Sequence, residues 1–172
     1  MMYKTHIVFA LFVYLLLTLF LPLNKEFYLL LLIAISTLLP DIDSGKSYIN
    51  NKLKVTKVAA MTSTHRGFWH SIFGLIVIWL ISIIFFLFIN VSAKLSFYTA
   101  FGYLMHLLAD SMTVSGIKPL WKFSELEFRW KIKTSGALEY VLFFVLLLVT
   151  VYLYSPNFVF NITGYISKIF KN

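Results

Sequence analysis

Apolar residues are grouped into five segments along the chain, and polar stretches separate them. The segments cover residues 7–23, 27–39, 68–89, 95–109 and 137–154. A helix needs about 20 apolar residues to cross the hydrocarbon core of a bilayer, so 68–89 and 137–154 are long enough, whereas 27–39 and 95–109 are short. The pattern predicts an all-α fold, a multi-pass membrane bundle of about five hydrophobic helices with its polar groups clustered on the cytoplasmic side.

The composition supports a membrane protein. The chain is 60% hydrophobic and 13% charged, with a mean hydropathy of +0.84, whereas roughly 25% of the residues of soluble proteins are charged. These values exclude a soluble globular domain and a disordered chain. The length of 172 residues is close to that of one domain, so we expect a single integral-membrane domain over residues 1–172. The absence of cysteine excludes disulfides and thiolate metal sites.

Basic residues outnumber acidic ones, giving a formal charge of +8, and their distribution predicts an orientation. If all five segments cross the membrane, the N-terminus and the two long loops, 41–67 and 111–136, share one side with 11 of the 15 Lys and Arg residues. Such an excess marks the cytoplasmic side, so we expect an inner-membrane protein with a cytoplasmic N-terminus. If the two short segments are re-entrant and do not cross, the two long loops still share one side of the membrane. Because topology explains the positive charge, we expect no nucleic-acid partner.

The few histidine and acidic side chains fall mostly at the cytoplasmic ends of these segments. Ionisable groups at membrane depth usually face the bundle interior and pair with one another or with ions. Imidazole and carboxylate ligands suit Zn²⁺, and also Mn²⁺ or Fe, so we predict a centre of one or two divalent ions, with zinc preferred. The candidate ligands are His6, Asp41, Asp43, His65, His70, His106, Asp110 and Glu139.

Local spacing favours convergence of several candidates. His106 and Asp110 are four residues apart and share a helix face. Gly102, one turn earlier, allows a neighbouring helix to approach closely. Asp41 and Asp43 point the same way if their stretch is extended. A simpler interpretation of His106 and Asp110 is a hydrogen-bonded pair without a metal.

Two further charged residues lie at predicted helix starts. Arg66 ends a loop where free backbone N–H groups favour an anion, so its guanidinium is a candidate to hold a phosphate or carboxylate. Arg66 also counts among the basic residues that set orientation. Glu139 opens the last helix, where a carboxylate also has an ordinary role against the helix dipole.

Most of these residues belong to short stretches that recur as a series. They read LPDID at 39–43, HRGFWHS at 65–71, GYLMHLLAD at 102–110, TVSG at 113–116 and GALE at 136–139. With His6 ahead of them, the stretches resemble the motifs of the YdjM-like family, described as metal-dependent hydrolases of bacterial and archaeal inner membranes. The resemblance runs from His6 to Glu139 and implies metal-dependent hydrolase activity. The family description also carries a label for control by the LexA repressor, which concerns expression rather than chemistry.

These observations lead us to expect a membrane-embedded hydrolase. A metal-activated water would attack a lipid-linked or phosphoester substrate near the cytoplasmic leaflet, and membrane lipids are the expected partners. Asp43 or Glu139 is the candidate general base, and Arg66 is the candidate group that positions an anionic substrate.

Two other functions use the same residues. A metal-ion or proton transporter needs polar groups along a path across the bilayer, whereas the outer halves of the segments carry no acid or histidine. A non-catalytic membrane protein could bind a partner through the basic loops, although topology already accounts for their charge. Hydrolysis is therefore the preferred hypothesis.

Overall fold

The computed structural model describes residues 1–43 and 67–155, without the side chains of residues 42 and 43. These residues form helices and connecting turns, with two isolated β-bridges and no strand among them. The all-α class predicted from the sequence is therefore confirmed. The helices are α1 (Tyr3–Leu17), α2 (Phe27–Ser36), α3 (Ile72–Phe88), α4 (Leu95–Ser111) and α5 (Ala137–Tyr154).

Two short 3₁₀ turns lie next to the helices, one after α2 and one before α3. The turn Leu39–Asp43 follows α2, so the extended conformation that would align Asp41 with Asp43 is not present. The turn Phe68–His70 precedes α3, so the predicted helix 68–89 begins only at Ile72. The cause lies at Ser71, whose backbone is extended and whose Oγ accepts a hydrogen bond from the N–H of Gly74 at 3.4 Å. A serine in this position caps the helix and separates it from the turn.

Helix α4 lies at the centre of the packing. It contacts α1, α2 and α3, and α1 in turn packs against α2 and α5. Burial of apolar side chains is the main favourable term in such packing. The buried cluster between α1, α2 and α4 comprises Ala10, Tyr14, Leu15, Leu30, Ile33 and Met105.

The outer faces of the helices expose large apolar side chains. Phe88 at the end of α3 is 83% exposed, and Leu148 in α5 is 71% exposed. Within residues 1–43 and 67–155, one helix, Ala137–Tyr154, is both long and apolar enough to cross a membrane. The stretches Tyr3–Leu17, Phe27–Asp41 and Ile72–Phe88 are apolar but shorter. The number of crossings therefore stays a prediction.

The connections place five helix ends on one side of the bundle. α1 begins there, α2 ends there through its 3₁₀ turn, α3 begins there, α4 ends there and α5 begins there, as the alternation of antiparallel neighbours requires. This end of the bundle carries the polar side chains described next.

Candidate metal centre

Five of the eight predicted ligands meet at this end of the bundle. His6 lies in α1, Asp41 and His70 lie on the 3₁₀ turns that flank α2 and α3, and His106 and Asp110 lie in α4. The three histidines and Asp110 are 0–2% exposed. Groups this polar require partners or ions when they are buried.

The side chains face one another through their ring nitrogens and carboxylate oxygens. Nε2 of His70 lies 3.5 Å from Asp41 Oδ1 and 3.7 Å from Asp110 Oδ2. Nε2 of His106 lies 3.8 Å from each of the same two oxygens. Both imidazoles are therefore placed between two carboxylates, at separations wider than the roughly 2.7–3.2 Å of an ordinary hydrogen bond.

His6 extends this arrangement on the other side of Asp110. Its Nε2 lies 3.4 Å from Asp110 Oδ1, and its ring stacks on that of His106 with centroids 3.9 Å apart. The amino group of Met1 lies 2.8 Å from the same Oδ1. Asp110 thus presents one oxygen to His6 and the other to His70 and His106.

Two groups of three side chains have the spacing needed to hold an ion. They are His6 with His106 and Asp110, and Asp41 with His70 and His106; within each group the ligand atoms lie within 4.8 Å of one another. Imidazole nitrogen and carboxylate oxygen are the ligand types of zinc sites that lack cysteine. Because His106 belongs to both groups, it is the central member of the arrangement.

A backbone carbonyl fixes the orientation of His106. Nδ1 of His106 lies 2.7 Å from the carbonyl oxygen of Thr37, and because a carbonyl only accepts, Nδ1 carries the proton of this hydrogen bond. In the neutral ring Nε2 then holds a lone pair, and this buried atom has no hydrogen-bond partner among the described residues. A lone pair that faces two carboxylate oxygens is arranged so that it can bind a cation together with them. Metal-ligating histidines usually have such a carbonyl or carboxylate partner on their other nitrogen.

The close packing of α2 on α4 makes this hydrogen bond possible. Gly102 lies one turn before His106, and a Cβ at Gly102 would stand 2.5 Å from the carbonyl oxygen of Ile33 and 2.9 Å from Cβ of Ser36. Only glycine permits the helices to approach so closely. The sequence spacing of Gly102 and His106 predicts this approach, although not which helix fills the space.

His70 is held by a different set of contacts. The hydroxyl of Tyr103 donates a hydrogen bond to the backbone carbonyl of Trp69, and the N–H of Ile72 donates to the carbonyl of Pro119 at 2.9 Å. A Cβ at Gly74 would come within 2.6 Å of the Tyr103 hydroxyl. These contacts fix the 3₁₀ turn on which His70 lies. No role was predicted for Thr37 or Tyr103 from the sequence; the one signal for Tyr103 is its place in the stretch GYLMHLLAD at 102–110, three residues before His106.

The electrostatic surroundings of Asp41 are also defined. Asp41 follows the apolar segment 27–39 and its side chain is 25% exposed. Partial burial acts to raise the pKa of its carboxyl group, but the nearby imidazoles of His70, His106 and His6 outweigh burial and lower that pKa to about 2. The carboxylate is therefore ionised at neutral pH, as a metal ligand must be.

Glu139 lies outside both groups of potential ligands. Its side chain is 0% exposed, and its two oxygens accept hydrogen bonds of 2.6 Å from the backbone N–H groups of Met2 and Ser135. Since a helix start has N–H groups without partners inside the helix, Glu139 joins the beginning of α1 to that of α5. Its predicted roles as ligand and as general base stay predictions.

Three other predicted site residues cannot be placed in the same way. His65 and Arg66 lie outside the described residues, and so does the side chain of Asp43, whose backbone ends the turn Leu39–Asp43. The roles of His65 as a ligand, of Arg66 as an anion holder and of Asp43 as a ligand or base therefore stay predictions.

Comparison with known proteins gives the chain its family. The sequence profile of the YdjM inner membrane protein family matches residues 1–167. The proteins named inner membrane protein YdjM in Escherichia coli (strain K12) and Shigella flexneri are each 37% identical to this chain over 91 residues. That alignment covers 51% of the chain and 45% of each relative, which is less than half of the relatives' length. No solved structure matches the chain. The resemblance found in the sequence is thus confirmed, and the chain belongs to the YdjM inner membrane protein family.

Proposed function

We propose that this protein is a membrane-embedded, metal-dependent hydrolase. The observation that carries the proposal is the orientation of His106, whose Nδ1 proton goes to the Thr37 carbonyl and whose Nε2 lies 3.8 Å from an oxygen of both Asp41 and Asp110. Two ionised carboxylates and a nitrogen lone pair converge there in a buried site. A divalent cation would relieve the resulting repulsion, whereas a hydrogen-bond network without metal would need an additional proton on Nε2 or on one of the two carboxylates.

The residues that would hold the ion follow from the same contacts. Asp41, His70, His106 and Asp110 supply two nitrogens and two oxygens, and His6 is the candidate for a second ion next to Asp110. The ligand types favour zinc, with manganese or iron as alternatives. A bound divalent ion supplies Lewis acidity, which activates water and polarises the bond to be hydrolysed.

Other residues of the chain would prepare the site rather than bind the ion. The carbonyl of Thr37 holds the His106 ring in one tautomer, and Tyr103 fixes the turn that carries His70. On their sequence positions, Asp43 is proposed as the base that takes a proton from water and Arg66 as the group that binds an anionic part of the substrate.

The membrane context supports a lipid-linked or phosphoester substrate at the cytoplasmic leaflet. The site lies at the end of the bundle where α1 begins and α4 ends, and the basic loop after α4 lies at the same end. With the excess of basic residues on that side, we propose a multi-pass topology with a cytoplasmic N-terminus. A substrate whose scissile bond lies at headgroup depth could reach such a site from the leaflet.

The metal is tested first, on the full chain purified in a neutral detergent. Inductively coupled plasma mass spectrometry of the wild type is expected to show zinc, manganese or iron at one or two ions per chain. The variants His106→Gln and Asp110→Asn should lose this metal. Glu125→Gln is the matched control, because Glu125 is an exposed carboxylate paired with Lys118 at 3.0 Å, and it should retain the metal. Wild-type protein that stays folded without metal, and binds none when zinc or manganese is added, would overturn the proposal.

Hydrolysis is tested separately from metal binding. Vesicles of phosphatidylglycerol or phosphatidylethanolamine, and lipid-linked phosphates, are incubated with the metal-loaded protein while release of phosphate and headgroup is measured. Turnover should appear with the wild type and with Glu125→Gln, and disappear with Asp41→Asn. Metal flux into protein-containing liposomes without any turnover would support the transporter in place of the hydrolase.

A further inference from the structure

The loop between α4 and α5 contains a cavity whose walls differ from those of the metal centre. The cavity has a volume of about 580 Å³ and is lined by Val114, Arg129, Trp130 and Lys131. We refer to it as the loop cavity. It combines a guanidinium, an ammonium and an indole with an aliphatic side chain, a set typical of the zone where lipid headgroups meet hydrocarbon.

Backbone contacts build this part of the loop onto the end of α4. The N–H of Trp130 donates to the carbonyl of Thr113 at 3.0 Å, and the N–H of Ile132 donates to the carbonyl of Met112 at 3.2 Å. Gly116 has a φ of +58°, and a Cβ there would meet the carbonyl oxygen of Phe128 at 2.5 Å. The loop cavity therefore belongs to a defined structure attached to the end of α4.

The charges at the loop cavity are not neutralised within the described part of the chain. Lys118 in the same loop is paired with Glu125 at 3.0 Å, and this carboxylate raises the pKa of Lys118. In contrast, Arg129 and Lys131 form no ion pair with any residue in 1–43 or 67–155. Two cations at one cavity favour an anionic ligand, and a guanidinium suits the oxygens of a phosphate.

An exposed apolar face leads along α4 to the loop cavity. Leu104, Leu108 and Met112 follow one another at four-residue spacing and are exposed, so they lie on one side of the helix. Met112 is held to the strand-like stretch 129–132 by the hydrogen bond from Ile132. Next to the cavity, the side chain of Trp130 is 70% exposed. The exposed apolar residues thus end where the two basic residues begin.

We propose that the loop cavity binds the phosphate headgroup of an anionic phospholipid, with its acyl chains along the face of α4 formed by Leu104, Leu108 and Met112. Arg129 and Lys131 bind the phosphate, and Trp130 lies at the boundary between headgroup and hydrocarbon. Family membership places the protein in a membrane, so the lipid is present at high local concentration. None of its lining residues belongs to the proposed metal centre, and lipid binding there does not depend on hydrolysis.

The test uses native mass spectrometry of the full chain in a neutral detergent, titrated with phosphatidylglycerol or with phosphatidylcholine. The wild type should bind phosphatidylglycerol more tightly than phosphatidylcholine. The double variant Arg129→Gln/Lys131→Gln should bind phosphatidylglycerol about thirtyfold more weakly, since each basic residue near an anionic surface contributes a factor of about five. Its affinity for phosphatidylcholine should not change.

The matched control removes two basic residues from the opposite end of the bundle. Lys25→Gln/Lys94→Gln changes the net charge equally, at exposed positions between α1 and α2 and between α3 and α4, and it should keep the affinity for phosphatidylglycerol.

An equal loss in both double variants, or equal binding of both lipids by the wild type, would overturn the proposal. Displacement of the lipid by millimolar inorganic phosphate would show a site for free phosphate instead. Metal content, measured in parallel, should be the same in all of these proteins, so that this test stays independent of the hydrolase.

Discussion

The backbone carbonyl of Thr37 and the ring of His106 are joined by a 2.7 Å hydrogen bond that connects the end of α2 to α4. A main-chain atom therefore sets the direction in which the central histidine of the site presents its free nitrogen. The hydrogen bond exists only because the two helices pack at a distance that Gly102 allows. The geometry of the candidate metal centre and the packing of α2 on α4 thus depend on the same contact.

Replacing Gly102 should weaken both the packing of α2 on α4 and the binding of metal. The added Cβ of Gly102→Ala would lie 2.5 Å from the carbonyl oxygen of Ile33, so the helices must separate. We expect a loss of about 1–3 kcal/mol of stability, the usual cost of overpacking, and weaker metal binding. Thermal unfolding in detergent and metal analysis measure the two effects. Leu104→Ala, on the exposed side of the same helix, should change neither the metal content nor the α2–α4 packing. Full metal affinity in a destabilised Gly102→Ala would show that His106 is oriented by something else.

Tyr103 offers a test of the turn that carries His70. In Tyr103→Phe the carbonyl of Trp69 loses the hydrogen bond from the tyrosine hydroxyl. An unsatisfied buried polar group costs about 1–3 kcal/mol, and loss of a residue that supports a ligand usually lowers metal affinity roughly 10- to 100-fold. Competition with a fluorescent zinc chelator gives the affinity. Tyr140→Phe, which alters an exposed tyrosine of α5, is the control. If the two variants bind zinc equally well, the hydroxyl of Tyr103 has no part in placing His70.

Glu139→Gln separates two roles for a buried carboxylate. As a link between α1 and α5, Glu139 accepts from two backbone N–H groups, and the glutamine amide would face one of those donors with its own NH₂. We expect a loss of about 1–3 kcal/mol of stability without loss of metal. Leu138→Ala, at the exposed neighbouring position, controls for changes at this helix start. Loss of metal from Glu139→Gln at unchanged stability would restore the ligand role predicted from the sequence.

The proposed topology is tested readily because the chain contains no cysteine. Thr134→Cys lies in the loop after α4 and Ser92→Cys lies between α3 and α4, both at exposed positions. With an impermeant maleimide on spheroplasts, Ser92→Cys should be labelled at once and Thr134→Cys only after the membrane is permeabilised. Labelling of both from outside, or the reverse order, would contradict a cytoplasmic N-terminus with long cytoplasmic loops.

The sequence predicted the parts of this site that depend on helix periodicity. His106, Asp110 and Gly102 stand at four-residue intervals, so their common face follows from the 3.6-residue repeat. That the helix ends meet on one side followed from the alternating direction of five consecutive segments. Both predictions rest on regular structure, which a hydrophobic pattern encodes well.

The rest depends on contacts that no pattern encodes. The turns at Asp41 and His70 are 3₁₀ segments, and the turn of His70 is held by a contact from Tyr103 rather than by local periodicity. Thr37 acts through its carbonyl oxygen, which every residue has, so its side chain gives no signal. Glu139 was predicted to be a ligand from its residue type. The structure shows that its oxygens accept hydrogen bonds from the backbone N–H groups of Met2 and Ser135.

The order in which the ligands occur along the chain has a consequence for biosynthesis. The five side chains that meet come from α1, the two turns and α4, and none comes from α5. As the chain leaves the ribosome from its N-terminus, all the ligand side chains of the proposed centre are outside once Asp110 has emerged, before α5 has emerged. An ion captured at that stage would bind α1, α4 and the two turns into one unit, on which the last helix then packs through its contact with α1.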